Sequence, residues 1–149
     1  MRAPSYRLIL FPVDGSDSEQ AVAMHAAMLA LATDATLAIL GVIDTSAGFQ
    51  FTADGLARYD RLRSETQAAI ERASDIARGV GVARVEHLIM DGRPADAIIE
   101  VADEQSADLI VLGSARAMLD GTSSDDSIAH VLRHARCPVV IVPAERMHR

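Results

Sequence analysis

The stretch Ala107 to Val142, ADLIVLGSARAMLDGTSSDDSIAHVLRHARCPVVIV, decides how the whole chain is read. Asp108 to Leu112 has the unbroken aliphatic character of a buried strand and is expected to break at Gly113 into a polar loop. A helix is expected from near Ser127 to about Arg136, giving way to a second strand bracketed by Pro138 and Pro143. A strand that ends in glycine and feeds through small polar residues into a helix N-terminus aims backbone N–H groups and a positive dipole end at one spot. Such an arrangement binds anions.

Upstream of this stretch, strand and helix patterns alternate. Arg7 to Val13, RLILFPV, reads as a strand, Asp14-Gly15-Ser16 as a turn, and Asp17 or Ser18 as the cap of the next helix. That helix is apolar around much of its girth, from Ala21 to Leu31, and His25 within it is expected to be partly buried and hydrogen-bonded. Thr36 to Ile43 is nearly continuously apolar, as a parallel strand covered on both faces must be. The loop from Asp44 to Gly55 carries Phe49 and Phe51, which either form a lid or partner contact or tuck into the edge of the core.

Leu56 to about Arg78 is a long amphipathic pattern, and its charges at Arg58, Asp60, Arg61, Arg63, Glu65, Glu71 and Arg72 read as a solvated face. Gly79 and Gly81 end it. A strand over Ala83 to Met90, a turn over Asp91 to Pro94 and a helix over Ala95 to Glu104 follow. The alternation implies one α/β domain over residues 1–149: an open parallel sheet of five strands with helices on both faces and right-handed crossovers.

Composition narrows the function. With 149 residues, half of them hydrophobic and only 3% aromatic, the chain can fill one core, and that core must be aliphatic. A net charge of -7 with scattered arginines argues against nucleic acid as a partner. The lone Cys137 excludes an internal disulfide and a multi-cysteine metal site, reads as a buried structural thiol, and fits a reducing compartment. The run Leu8 to Val13 is too short for a signal-peptide core or a membrane span, so the expected location is cytoplasmic, with no membrane partner. The sequence contains no Lys, which excludes a Walker A loop and Schiff-base chemistry.

Other constellations are read structurally. His130 and His134 have the spacing of a zinc pair, but the glutamate of a metalloprotease motif is missing, so no metal site is assigned. Ser114, Ser123, Ser124 and Ser127 lack a nucleophile elbow, and no catalytic residue is assigned among them. Asp125 and Asp126 are read as helix cap and solvated loop.

The segments FPVDGSDSEQA, DGRPADAIIEVADEQSADLIVLGS and SIAHVLRHARCPVVIVP make nearly the whole chain resemble the universal stress protein family. The resemblance implies a Rossmann-like sheet of order 3-2-1-4-5, usually a homodimer, with ATP held by some members and not by others. In that order strands one and four adjoin at a switch point, and Pro12 to Asp14 with Leu112 to Ser114 form the carboxyl ends where a ligand would sit. The resemblance also brings Asp14 to the ribose or base and the Val42 backbone to adenine.

Nucleotide-binding members resembling this chain carry a glycine, two free positions, a second glycine, nine free positions, then a glycine followed by Ser or Thr. Gly113 and Ser127 match the ends of that pattern, whereas Arg116 and Asp126 replace its second and third glycines. A side chain obstructs the backbone's approach to a phosphate. A carboxylate about 4 Å from a phosphate charge costs about 4 kcal/mol at an effective dielectric near 20, roughly a thousandfold in affinity.

No cofactor is assigned, and ATP is the candidate the resemblance supplies. Two routes retain it: Arg116 acting as a fork on phosphate, or a magnesium ion bridging phosphate and the aspartates. The expected function is a non-enzymatic stress-response regulator or adaptor with a nucleotide site weakened or lost through Arg116 and Asp126, then a nucleotide-sensing module with an altered pocket, and last a nucleotide hydrolase. Pro138 to Pro143, short and wholly apolar, is the edge expected to form a homodimer, which would leave other surfaces for protein partners.

Overall fold

The computed structural model describes residues 5–14, 19–46, 48, 50–114 and 127–143. Strands and helices alternate as β1 (Leu8–Val13), α1 (Glu19–Thr33), β2 (Thr36–Asp44), α2 (Ala53–Val80), β3 (Val85–Gly92), α3 (Pro94–Glu104), β4 (Leu109–Ser114), α4 (Ser127–His134) and β5 (Val139–Pro143). The strands form one parallel sheet in the order β3-β2-β1-β4-β5, as expected of a Rossmann-like α/β fold.

Side chains alternate across each strand and so divide the core in two. Ile9, Phe11, Leu37, Ile39, Leu109 and Val111 point to the face covered by α1 and α2. Leu10, Ala38, Leu40, Ile110 and Leu112 point to the face covered by α3 and α4. Alanines at positions 23, 26, 27 and 30 let α1 lie close on the sheet. Asp108 organises the opposite edge: its Oδ2 accepts the backbone N–H groups of Arg7 at 2.7 Å and Leu8 at 3.0 Å, while its own N–H donates to the Leu8 carbonyl.

Several boundaries differ from the sequence reading, each for a local reason. Gly113 does not end β4; the strand runs through it to Ser114, with Gly113 opposite Val142 and Ser114 opposite Pro143. Its missing side chain is a packing requirement, since a Cβ there would lie 2.8 Å from Val22 Cγ2 on α1. Helix α2 begins three residues early because Thr52 caps it, its Oγ1 accepting the Gly55 N–H at 3.1 Å. It runs through Gly79 and stops where Gly81 takes the left-handed conformation at φ 113°.

Strand β3 starts later and extends to Gly92, held by continued pairing with β2 up to Asp44. Helix α4 closes at His134 with Arg133 and His134 in its last turn. His25 is exposed rather than partly buried, with its Nδ1 3.0 Å from the Ala21 carbonyl on its own helix. Asp17 and Ser18, the expected caps of α1, lie outside the described residues.

Candidate functional site

The sheet order places β1 beside β4, and their following helices depart to opposite faces, α1 to one and α4 to the other. The strand ends are thereby left uncovered between them. A cleft of about 270 Å³ opens there, with Pro12, Asp14, Val42, Leu112, Gly113 and Ser127 in its lining. These are six of the nine residues singled out from the sequence. Ser114 follows Gly113 as the last residue of β4. Arg116 and Asp126 lie outside the described residues, as do Asp125 and the serines at 123 and 124.

The outer wall of this cleft is apolar, from Pro94 and Ile98 on α3 and Ile128 and Val131 on α4. Pro94 sits in the first turn of α3, where its fixed φ suits the helix and no N–H is missed. The two helices are tied outside the cleft by His130, whose Nε2 lies 3.0 Å from Asp96 Oδ1. The His134 ring stands 4.6 Å from that of His130. Among the described residues no group of three or more His, Cys, Asp and Glu side chains is placed to hold a metal ion.

Asp14 is exposed at the strand end, and its backbone N–H donates to Glu19 Oε2 at 2.5 Å, joining β1 to the first turn of α1. Asp14 belongs also to a second cleft, about 580 Å³, on the other face of the sheet. Val13, Asp14 and Val42 are shared; the rest of the floor is Ile43 and Asp44, and one wall is the part of α2 from Arg58 to Arg72, with Leu62, Glu65, Thr66 and Ala69. Asp44 Oδ1 accepts both the N–H of Ser46 at 2.9 Å and its hydroxyl at 2.5 Å. Thr66 Oγ1 donates to the Leu62 carbonyl at 2.8 Å.

The sequence reading missed this second cleft because it assigned the α2 charges to a solvated face. Arg58, Glu65 and Arg72 recur every seven residues, with Leu62, Thr66 and Ala69 between them. That spacing sets charged and apolar groups on one stripe of the helix, but it does not say whether the stripe faces water or a cleft.

Two other expectations change. Phe51 is 95% exposed and does not tuck into the core, while Phe49 lies outside the described residues. Cys137 is half-buried rather than fully buried; its thiol is pushed up first by desolvation, then by the charges of Asp108 and Asp103. Among the described residues no helix is long and apolar enough to cross a membrane.

Residues 5–143 match the model of the universal stress protein family. A universal stress protein of Methanocaldococcus jannaschii is 31% identical over 140 residues, covering 92% of this chain and 82% of that protein. The structure of the universal stress protein UspA from Lactobacillus plantarum superposes with a TM-score of 0.82 at 26% identity, over 94% of this chain and 99% of that one. A universal stress protein solved in complex with cAMP superposes with a TM-score of 0.76, also at 26% identity, over 95% of this chain and all of that one.

Proposed function

This chain belongs to the universal stress protein family, and we propose that it acts as a non-enzymatic stress-response regulator or adaptor whose nucleotide site has lost its phosphate end. The reading rests on one contrast. Asp14, Val42 and the apolar wall line one cleft of about 270 Å³, the place this reading gives to a base and sugar. Arg116 and Asp126 stand in the motif where nucleotide-binding relatives place glycines. The cleft's apolar lining gives a nucleoside a place to bury its base, and the like charge of Asp126 opposes the phosphates that would follow.

Catalysis has little support: among the described residues the lining of the cleft offers no lysine, cysteine or histidine. A relative that holds cAMP favours the second reading, a sensor for adenine nucleotides with an altered, magnesium-bridged pocket. Nucleotide carried through purification would support the sensor. A protein free of nucleotide, with ATP affinity weaker than about 100 μM, supports the regulator.

The functional unit in this reading is one cytoplasmic domain that pairs with its own copy through β5 and offers other surfaces to protein partners. β5 lies at the end of the sheet beside β4, carries no charge from Val139 to Pro143, and exposes 37% of Val140. Val140→Lys should therefore halve the mass measured by sedimentation equilibrium at micromolar concentration. A wild-type monomer, or a dimer indifferent to this change, contradicts the pairing.

A further inference from the structure

The first half of α2 is not held to the sheet by a core. None of residues 53–68 is buried, and the buried series of the helix starts at Ala69. At Thr66 the side-chain methyl comes so close to Gly41 of β2 that no Cβ fits there. Nearer the start of the helix, Tyr59 crosses to the edge strand: its hydroxyl donates to the Asp91 carboxylate, 2.8 Å from Oδ1 and 2.9 Å from Oδ2.

Ile43 lies under this part of the helix. Strand β1 ends with Val13 opposite Gly41, so Ile43 stands beyond it, and its neighbour on the other side is Asp91 of β3. Residues opposite each other in a parallel pair share a face, so Ile43 and Asp91 both point toward α2. Ile43 is only 1% exposed, yet it belongs to neither of the two core clusters. It lines the trough together with Leu62 and Thr66, and the bond from Tyr59 to Asp91 is made beside it.

We propose that residues 53–65 form a strap over Ile43, hinged where Thr66 meets Gly41 and latched by Tyr59 on Asp91, and that its opening sets access to the floor of the 580 Å³ trough. The strap works in this way whatever molecule the trough takes. A helical segment of this length is marginal in water without tertiary support, and a segment with no buried side chains opens far more readily than the whole domain unfolds. The latch is closed at neutral pH. The Tyr59 hydroxyl is pushed above its ordinary value first by the hydrogen bond to Asp91 and then by desolvation, against an opposing pull from Arg63, so it keeps the proton it donates.

Access is read directly by the rate at which dithionitrobenzoate labels a thiol introduced by Ile43→Cys, in a chain that also carries Cys137→Ser. Tyr59→Phe keeps the ring and removes the latch, and should raise that rate about fivefold. Asp91→Ala should do the same, and the two changes together should do no more than either alone. In the chain without the introduced thiol, Tyr59→Phe should quicken hydrogen exchange in residues 53–65 by a similar factor, while residues 69–80 and α3 keep their protection and show that the variant is folded. A labelling rate unmoved by Tyr59→Phe, or exchange that quickens equally through residues 69–80, overturns the proposal.

Discussion

The two clefts at the carboxyl edge of the sheet share Val13, Asp14 and Val42, yet one is walled by Ile98, Ile128 and Val131 and the other by Arg58, Glu65 and Arg72. Helix length explains the difference. Helices α3 and α4 have 11 and 8 residues and bury an apolar stripe on the sheet. Helix α2 has 28 residues, about 42 Å, against the nine residues of β2, about 30 Å. The buried residues of α2 begin at Ala69, so its first half has no core to fill, and the charges of its stripe line the trough. One sheet edge thus supplies an apolar slot and a charged trough from the same strand ends.

The largest effect should come from separating α2 from its floor. Gly41 faces α2, and a Cβ there would strike Thr66 Cγ2 and lie 2.9 Å from Ile70 Cδ1. Gly41→Val should destabilise the fold by about 3 kcal/mol, with hydrogen-exchange protection lost first in α2 and retained in α3. Equal loss on both faces would show that the two clefts are not mechanically independent.

Asp14 lies in both clefts and is exposed, so Asp14→Ala should cost no more than about 0.5 kcal/mol of stability. Its effect belongs to binding, with adenosine affinity falling about tenfold for the loss of a charged hydrogen-bond partner. A large drop in melting temperature with unchanged affinity would return Asp14 to a purely structural role.

A smaller effect is expected at the tie between α3 and α4. Asp96→Ala removes the partner of His130 at a site where both side chains are partly exposed, and should cost about 0.5 kcal/mol. The apolar contacts of Ile98 and Val131 keep the helices together, so the slot should keep its adenosine affinity to within a factor of about two. A larger loss would mean that the ion pair sets the width of the slot.

The fold was legible because the buried parallel strands are continuous apolar runs, as in Thr36 to Ile43, and because helices alternate with them. Boundaries were less legible where a tertiary contact decides them. Gly113 looks like a strand terminator, but its lack of a side chain answers to Val22, nearly a hundred residues away in sequence. Pro12, Asp14 and Leu112 could be placed at one crevice because strand order follows from the resemblance. The α2 wall could not be, since whether Arg72 faces water or a cleft depends on how far a helix overhangs its sheet. No local pattern encodes that distance.

The central claim is that Arg116 and Asp126 disable the phosphate end of an inherited nucleotide site. Calorimetric titration of ATP with magnesium against wild type and the double variant Arg116→Gly with Asp126→Gly tests it most directly. Binding should tighten by at least a hundredfold in the double variant, with Asp126→Gly alone giving the larger share because it removes a charge of about 4 kcal/mol as well as bulk. Loss of a capping carboxylate costs about 1 kcal/mol, which leaves the variant folded. Tight magnesium-dependent binding of ATP by wild type, abolished by Arg116→Gly, would contradict the account.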